Sequence, residues 1–276
     1  MSSFLDEMAA ASATRLRLAR ARLPEPALLD LAARTPAPPR LRLSTDGFDL
    51  IAELKLRSPA AGALGAQDSP VGPRALAYAR AGAAAVSVLT EPSRFDGSLS
   101  HLTEAAGALA PLAVPAMRKD FLIDPYQVLE ARAAGASGVL LILRMLSSAT
   151  LAALIDCART HGLFVLLEAF DEHDLDRMQQ VIAADAGRTV LLAGVNCRDL
   201  GTLEVVPERL SELAPLLPPQ VPHVAESGLE RGEDARRLAG MGYRLALVGS
   251  ALMRSEDPAA LVRELLEAGR AGRGVA

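Results

Sequence analysis

The stretch Ile51-Ala-Glu-Leu-Lys-Leu-Arg-Ser-Pro-Ala-Ala-Gly62 contains an apolar run, two opposite charges and a turn signal in close succession. The apolar segment from Phe48 to Leu54 predicts a buried strand, and the Ser-Pro pair with the closing Gly indicates the turn that follows it. Glu53 and Lys55 are two residues apart, so their side chains leave the same face of that strand. Two charges on the inward face of an apolar strand indicate either an ion pair that closes one end of a sheet or a functional site.

The scarcity of Lys and Asn favours a functional site. The chain contains 29 Lys and Arg residues together, of which only Lys55 and Lys119 are Lys, and its one Asn is Asn196. Lys is a compact point charge that can lose its proton, which Arg does not do in proteins. In a sequence that otherwise uses Arg for its cations, these three residues are therefore candidates for positions where Arg or Asp would fail.

Composition excludes several classes of function. The 276 residues fit one large α/β domain or two small ones, and a formal charge of −4 gives no basic face for nucleic acid. No apolar run reaches the roughly 18–20 residues that a membrane span requires, and the first residues do not resemble a signal peptide. Cys157 and Cys197 lack metal-ligand spacing and indicate a reducing compartment. The expectation is a soluble, cytoplasmic protein without a nucleic-acid or membrane partner.

From residue 48 onward, short apolar runs alternate with helix-like segments in eight successive units. This alternation is typical of a parallel sheet buried on both faces, and eight units over this length predict a (β/α)8 TIM barrel. A doubly wound open sheet is the alternative. Helical patterns at residues 3–22 and 27–34 predict an N-terminal helical extension, residues 1–46, packed on a catalytic barrel domain, residues 47–276. The apolar runs are Leu50–Leu54, Ala85–Leu89, Val114–Met117, Gly138–Leu143, Leu163–Leu167, Thr189–Val195, Val221–Ala225 and Leu245–Val248.

Polar residues collect at the carboxyl ends of these runs, where barrels of this type carry their chemistry. Both Lys residues and the only Asn are among them. The set consists of Glu53, Lys55, Ser58, Thr90, Glu91, Arg118, Lys119, Asp120, Arg144, Glu168, Asn196, Arg198, Asp199, Glu226, Ser227, Gly228, Gly249 and Ser250. We therefore expect one site at the carboxyl end of the barrel.

Two parts of this set have a specific chemical interpretation. The loops Glu226-Ser-Gly228 and Gly249-Ser250 follow the last two runs, where barrels commonly bind phosphate through backbone N–H groups; ordinary turns are the alternative. Lys119 and Glu168 can form a general acid and general base pair, with a structural salt bridge as the alternative. The four His residues fall in helices or away from these ends and are expected to be structural. No nucleotide-binding glycine motif occurs, and nothing indicates a cofactor or metal.

These motifs resemble the indole-3-glycerol-phosphate synthase family of tryptophan biosynthesis over nearly the whole chain. Their number and order make chance similarity or a merely shared fold a poor explanation. The motifs are Ile51-Ala-Glu-Leu-Lys55 with Ser58-Pro59, Ser87-Val-Leu-Thr-Glu91 with Phe95-Asp-Gly-Ser98, Arg118-Lys-Asp-Phe121-Leu-Ile-Asp124, Glu168, Val195-Asn-Cys-Arg-Asp-Leu200, Ala225-Glu-Ser-Gly228 and Val248-Gly-Ser-Ala-Leu-Met253.

The resemblance implies a cofactor-independent, decarboxylating ring closure of 1-(2-carboxyphenylamino)-1-deoxyribulose 5-phosphate. It makes Lys119 the general acid and Glu168 the general base, with Lys55 holding the substrate carboxylate and Glu53 and Asn196 orienting the reacting groups. Supporting and substrate-binding positions are Ser58, Phe121, Arg198 and Glu226, and phosphate-binding positions are Ser227, Gly228, Gly249 and Ser250.

The sequence departs from the family pattern at a few positions. Leu56-Arg57 replaces a basic residue and Ala, Ala60-Ala61 replaces a polar pair, Ala169-Phe170 replaces a typical Val-His, and Cys197 replaces Asn. Two alternatives are another phosphate-binding barrel such as phosphoribosylanthranilate isomerase, which relies on a Cys and an Asp, and a weakened paralogue that binds sugar phosphates or a partner protein. Association with other enzymes of the pathway is left open.

Overall fold

Eight parallel strands form a closed barrel. The computed structural model describes residues 4–45, 47–58, 62–63, 70–199 and 201–273, with only the backbone of Ser58, Ala63 and Arg273. The strands are β1 (Asp49–Leu54), β2 (Ala85–Leu89), β3 (Ala116–Lys119), β4 (Gly138–Ile142), β5 (Phe164–Ala169), β6 (Leu191–Asn196), β7 (His223–Glu226) and β8 (Leu245–Val248). β1 pairs with β2 through Ile51 and Ala85 and with β8 through Asp49 and Leu245, so the sheet has no edge. The barrel is therefore confirmed over the open sheet.

The strands form a barrel because they are apolar on both faces. Every residue of β1, β5 and β6 is buried. Alternate side chains fill the interior of the barrel, including Ile51, Met117 and Leu166, whereas their neighbours pack beneath the surrounding helices. Continuous burial of this kind is what a parallel sheet covered by helices requires.

The helices surround the barrel and connect its strands. Within the described residues no helix has both the length and the apolar character needed to cross a membrane. The helices are α1 (Phe4–Arg22), α2 (Glu25–Arg34), α3 (Val71–Arg80), α4 (Pro92–Phe95), α5 (Leu99–Leu109), α6 (Pro125–Ala133), α7 (Ser148–Thr160), α8 (Glu172–Asp185), α9 (Glu208–Leu213), α10 (Gly232–Gly240), α11 (Ser250–Arg254) and α12 (Pro258–Arg273), with 3₁₀ turns at Ala110–Leu112, Leu143–Met145 and Ala214–Leu216.

The third strand differs from its predicted bounds in a way that matters for the site. It begins at Ala116 and includes Lys119, two residues beyond the predicted end at Met117. Pro115 has no N–H to donate to a ladder, whereas Arg118 and Lys119 pair with Val88 and Leu89 of β2. Lys119 therefore projects from the rigid end of a strand rather than from a loop.

The N-terminal helix α1 packs across the carboxyl ends of β2 and β3. Ser12 donates a hydrogen bond of 2.6 Å to the carbonyl of Phe121, and Arg15 contacts Glu91 and Asp120 at 3.1 and 2.6 Å. A short antiparallel ribbon, Arg57–Ser58 with Gly62–Ala63, follows β1 at the same end of the barrel. These segments border the opening where the predicted site residues lie.

Candidate active site

A cavity of about 330 Å³ opens at the carboxyl ends of the strands. This volume is within the range of small-molecule sites. Eleven of the thirteen predicted site residues line it: Glu53, Lys55, Lys119, Phe121, Glu168, Asn196, Arg198, Ser227, Gly228, Gly249 and Ser250. Glu226 lies directly behind them and contacts Lys119. The side chain of Ser58 is outside the described residues, as are Ala60 and Ala61.

The two Lys residues lie among three buried carboxylates. Lys55 is paired with Glu53 at 2.8 Å. Lys119 donates to Glu226 at 3.1 Å, and its Nζ is 3.7 Å from Glu53 and 4.0 Å from Glu168. Together with Asn196, these residues are called here the carboxylate–lysine cluster. β1, β3, β5, β6 and β7 each contribute to it, so the barrel itself sets its geometry.

Asn196 fixes the orientation of Glu168. Its side-chain N–H₂ donates to Glu168 at 2.5 Å, while its Oδ1 accepts from the hydroxyl of Ser227 and from the backbone N–H of Arg198, both at 2.9 Å. Two donors to one amide oxygen determine which way the amide faces. Glu168 is thereby held by a neutral donor on one side and faces the Lys119 ammonium on the other.

The protonation behaviour of the cluster follows from burial and neighbouring charge. Burial raises the pKa of Glu168 above its ordinary value despite the attraction of Lys119. Burial, with repulsion from Glu168, outweighs the attraction of Lys119 and raises the pKa of Glu226 to about 8. For Lys119, burial opposes the charge, but Glu226, Glu168 and Glu53 outweigh it and raise its pKa. The cluster thus contains a fully charged Lys beside carboxyl groups of increased basicity.

Glu53 behaves in the opposite way. Burial disfavours its charge, but the nearby ammonium groups of Lys55 and Lys119 outweigh burial and lower its pKa. The three carboxyl groups of the cluster therefore have different proton affinities. Such separation is what assigns different roles to chemically similar groups in an active site.

A second group of buried charges lies behind β3 and is called here the arginine network. Arg118, which is 3% exposed, contacts Asp120 at 3.0 Å and Glu130 at 3.2 Å and donates to Thr90 at 3.1 Å. Asp120 also accepts from Arg15 of α1 and from Thr90. The sequence placed Arg118 and Asp120 at the site, but Arg118 is turned away from the cavity into this network.

The two predicted phosphate loops lie side by side in the lining. Ser227 and Gly228 both have positive φ, 72° and 73°, and both line the cavity. Positive φ at a non-glycine residue is strained, and such strain is concentrated at ligand sites. A Cβ at Gly249 would collide with the Glu53 carboxylate, so glycine is required where β8 ends. Ser250 follows as the first residue of α11.

Aromatic side chains form another part of the cavity wall, called here the aromatic wall. The ring of Phe121 contacts Phe4 edge-on at 5.9 Å between centroids and Phe95 at 6.2 Å. Phe4 belongs to the N-terminal extension, where the sequence indicated nothing of chemical interest. Sequence reasoning missed it because only the packing of α1 brings it to the cavity, although an aromatic residue is uncommon in this chain, which has six Phe.

Other residues of the lining carried weaker sequence signals or none. Phe170 stands where the family pattern has His, and the guanidinium of Arg144 stacks on its ring at 4.6 Å. Arg198 lies at the edge and donates to the carbonyl of Leu203 at 2.7 Å. Leu203 and Val205, from the loop after β6, complete this side of the cavity.

Comparison with known proteins identifies the family. The model of the family described as "Indole-3-glycerol phosphate synthase" matches residues 10–265. The chain belongs to this family. An indole-3-glycerol phosphate synthase from Parafrankia sp. is 46% identical over 220 residues, which cover 80% of this chain and 78% of that protein. One from Mycobacterium avium is 41% identical over 242 residues, covering 86% and 85%.

Solved structures show the same fold at low sequence identity. Tryptophan synthase from M. tuberculosis matches with a TM-score of 0.59 and 16% identity, covering 82% of this chain and 94% of that one. The 3-hexulose-6-phosphate synthase from Salmonella typhimurium matches with a TM-score of 0.59 and 14% identity, covering 81% and 99%. These similarities support the barrel alone; membership of the indole-3-glycerol phosphate synthase family rests on sequence.

Proposed function

We propose that this chain is a carbon–carbon lyase that closes the ring of 1-(2-carboxyphenylamino)-1-deoxyribulose 5-phosphate, giving indole-3-glycerol phosphate, carbon dioxide and water. The observation that carries the proposal is the approach of Lys119 to Glu168 within 4.0 Å in a cavity that the two predicted phosphate loops and the aromatic wall also line. Side-chain acid–base chemistry suffices for this reaction, so no cofactor is invoked. The free thiols of Cys157 and Cys197 fit a cytoplasmic location.

Lys119 is the general acid in this mechanism. The aromatic carbon that bears the carboxylate attacks the substrate carbonyl, and Lys119 protonates the oxygen on which negative charge develops. Carbon dioxide then leaves, and the electrons of the broken carbon–carbon bond restore the benzene ring. Lys119, reprotonated from solvent, delivers a second proton to the hydroxyl, which leaves as water. Burial disfavours the charge of Lys119, but its three acidic neighbours outweigh burial and raise its pKa, so Lys119 is protonated before substrate arrives, which is the state that a general acid requires.

Glu168 is the general base that removes the proton whose loss, with departure of the hydroxyl, makes the new five-membered ring aromatic. Its raised pKa makes it a stronger base than an exposed carboxylate. Asn196 holds it toward the cavity. Both groups project from strands, so the distance between acid and base is set by the barrel rather than by mobile loops.

Binding energy would come from the two ends of the substrate. Lys55, held by Glu53, offers its ammonium to the substrate carboxylate, while the loops at Ser227-Gly228 and Gly249-Ser250 receive the phosphate. Phe121 with its aromatic neighbours flanks the substrate ring. Anchoring both ends folds a flexible substrate into a reactive shape, which lowers the entropic part of the barrier.

The alternative, a phosphoribosylanthranilate isomerase, relies on a reactive Cys, and neither Cys of this chain lines the cavity. Cys197 is fully buried and does not line the cavity, and burial raises the pKa of its thiol to about 11. A buried neutral thiol is a poor acid–base group at neutral pH. The other free thiol, Cys157, lies on α7 and is also outside the lining.

The decisive experiment measures indole-3-glycerol phosphate formation by fluorescence in the wild-type protein, in Lys119→Met and in the matched variant Lys55→Met. We expect wild-type turnover, a fall in kcat of about 10²–10⁴ for Lys119→Met, and a predominant rise in KM for Lys55→Met. Turnover that survives in Lys119→Met would contradict the assigned acid. Absence of wild-type turnover would contradict the function.

A further inference from the structure

Arg209, on α9, binds the backbone on both sides of the turn that follows β6. Its Nη1 donates to the carbonyl of Asn196 at 3.1 Å and to that of Arg198 at 3.3 Å, and its Nη2 is 3.7 Å from the Asp199 carboxylate. The side chain is 20% exposed. It does not line the cavity, and sequence reasoning gave it no role.

The two peptides held by Arg209, 196–197 and 198–199, flank the 197–198 peptide, whose N–H orients Asn196. The backbone N–H of Arg198 donates to Asn196 Oδ1, and the opposite end of the same amide donates to Glu168. The direction of that N–H depends on the turn between residues 196 and 198. The N–H and C=O of Cys197, inside the turn, are bonded to the backbone of Glu226 and Val206, and Arg209 binds the carbonyl at each end, so its side chain restrains the two peptides on either side of the N–H that orients Asn196.

The same turn is the base of the loop that covers one side of the cavity. Arg198 pairs with Val205 in an isolated antiparallel bridge and donates to the carbonyl of Leu203, which has a positive φ of 64°. The carboxylate of Asp199 accepts from the backbone N–H groups of residues 201 and 202. A guanidinium is well suited to bind several oxygens at once, because its donors form a rigid planar fork.

We propose that Arg209 is a positioning residue of the reaction, which acts through the turn after β6 to hold the Asn196–Glu168 pair and the adjoining loop in their catalytic arrangement. This inference rests on the proposed function. Arg209 touches no substrate atom in this scheme; its effect is on the placement of Glu168. Small displacements of a catalytic group are costly, since a shift of about 1 Å can reduce the rate about 10²-fold.

The experiment uses the full-length chain and compares wild type, Arg209→Met, Arg209→Lys, Asn196→Ala and the double variant Arg209→Met/Asn196→Ala. The matched control is Arg188→Met, because Arg188 also donates to two backbone carbonyls, those of residues 185 and 184, but lies before β6 at the opposite end of the barrel. Turnover, KM, the pH dependence of kcat/KM and thermal unfolding are measured for each protein.

For Arg209→Met we expect kcat to fall about tenfold, less than the roughly 10²–10⁴ expected for loss of an acid or base, with a smaller change in KM. In the double variant, kcat should be no lower than in Asn196→Ala, because both changes act through one hydrogen bond to Glu168. Arg209→Lys should recover part of the loss, since one ammonium can still bind a carbonyl. Arg188→Met should retain wild-type kcat.

The pH profile distinguishes positioning from a merely structural role. The hydrogen bond from Asn196 lowers the pKa of Glu168, so loosening it should move the acid limb of kcat/KM to higher pH in Arg209→Met, as in Asn196→Ala. Glu168 also faces Glu53 on β1, Lys119 on β3, Glu226 on β7 and Asp174 on α8. The hydrogen bonds of Arg209 go instead to the turn after β6.

Several results would overturn the inference: an unmoved acid limb, effects of Arg209→Met and Asn196→Ala that multiply in the double variant, or an equal kcat loss in Arg188→Met. If Arg209→Met fails to fold, Arg209→Lys and its double variant with Asn196→Ala decide by the same criteria. A wild-type protein without turnover would overturn the proposed function itself, and the inference with it.

Discussion

The carboxylate–lysine cluster and the arginine network are two buried charge groups on opposite faces of β3, and they differ in how completely their charges are satisfied. In the network, each carboxylate oxygen of Asp120 accepts two hydrogen bonds. In the cluster, Glu226 has a buried oxygen with no partner among the described residues. Buried polar groups without partners are rare and costly.

The pKa shifts show the same contrast. The pKa of Asp120 is lowered, because Arg118 and Arg15 outweigh the effect of burial, whereas the pKa values of Glu168 and Glu226 are raised. A lowered carboxyl pKa stabilises the folded state above the ordinary pKa, and a raised one destabilises it there. Asp120 therefore supports the fold above its ordinary pKa, whereas Glu168 and Glu226 weaken it there in exchange for reactivity.

The largest effect that tests this contrast is expected from Glu168→Gln. Activity should fall by about 10²–10⁴, because Gln cannot accept the proton in the ring-forming sequence. The free energy of unfolding at neutral pH should rise, because a carboxylate disfavoured by burial is replaced by a neutral group of the same size. Product fluorescence and thermal unfolding of the same preparation measure both quantities.

The essential outcome for Glu168→Gln is that activity falls while the free energy of unfolding rises. A variant that is both inactive and less stable than wild type would mean that Glu168 is held as a favourable structural charge. The distinction between the two buried groups would then fail, and the fall in activity would need no catalytic explanation.

The next largest effect is expected from Asp120→Asn in the arginine network. Removing this charge leaves Arg118 buried with Glu130 as its remaining carboxylate partner, and breaking a buried pair in this way typically costs about 3–5 kcal/mol of unfolding free energy. Because the pKa of Asp120 is lowered on folding, its contribution is present above the ordinary carboxyl pKa and is lost as the pH falls through the folded-state value. The gap between variant and wild type should therefore narrow in acid.

Denaturant unfolding at neutral pH and in acid measures that gap. A gap that is the same at both pH values would show that the side chain stabilises the fold through packing rather than through its charge. Thermal unfolding of Glu168→Gln under the same two conditions supplies the contrast. At neutral pH this variant should be more stable than wild type, whereas Asp120→Asn should be less stable. Both differences should shrink in acid.

The sequence predicted best those features that depend on residues close together along the chain. Each strand-end residue of the cluster follows its own apolar run, so recognising eight runs was sufficient to bring Lys55, Lys119, Glu168 and Asn196 to one end of the barrel. Closure of the barrel then supplies proximities that span more than a hundred residues of sequence, such as that between Lys119 and Glu226.

Features that depend on side-chain packing were not predictable in this way. Phe4 reaches the cavity only because α1 lies across the barrel end. Arg118 and Lys119 are adjacent in sequence, yet one faces the network and the other the cavity, and the misplaced boundary of the third strand hid that difference. The raised pKa of Glu226 depends on burial and on three neighbours from other strands.

A smaller, pH-dependent effect is expected from Glu226→Gln. Between the ordinary carboxyl pKa and its folded-state pKa of about 8, the folded protein binds more protons than the unfolded one at this position, so wild-type stability should decline as the pH rises through that window. Gln removes the titration, and the variant should gain stability relative to wild type up to about pH 8 and then level off. Melting temperatures from pH 5 to 9 measure this, and a constant difference would contradict the raised pKa.

The smallest effect is expected from Arg34→Gln, which breaks an exposed ion pair with Asp30 on α2. The two side chains are 79% and 71% exposed and one helical turn apart, and such pairs contribute no more than about 0.5 kcal/mol to unfolding free energy. Like the pair of Arg118 with Asp120, this one joins a guanidinium to an aspartate at about 3.0 Å, so the two pairs differ mainly in burial and in the number of shared partners.

Denaturant unfolding at low and high salt therefore gives the reference for the arginine network. A loss of unfolding free energy from Arg34→Gln that approaches the loss from Asp120→Asn would show that burial is not what distinguishes the two pairs. A negligible loss would assign the stabilising effect of the arginine network to its desolvated, fully paired environment rather than to the presence of opposite charges.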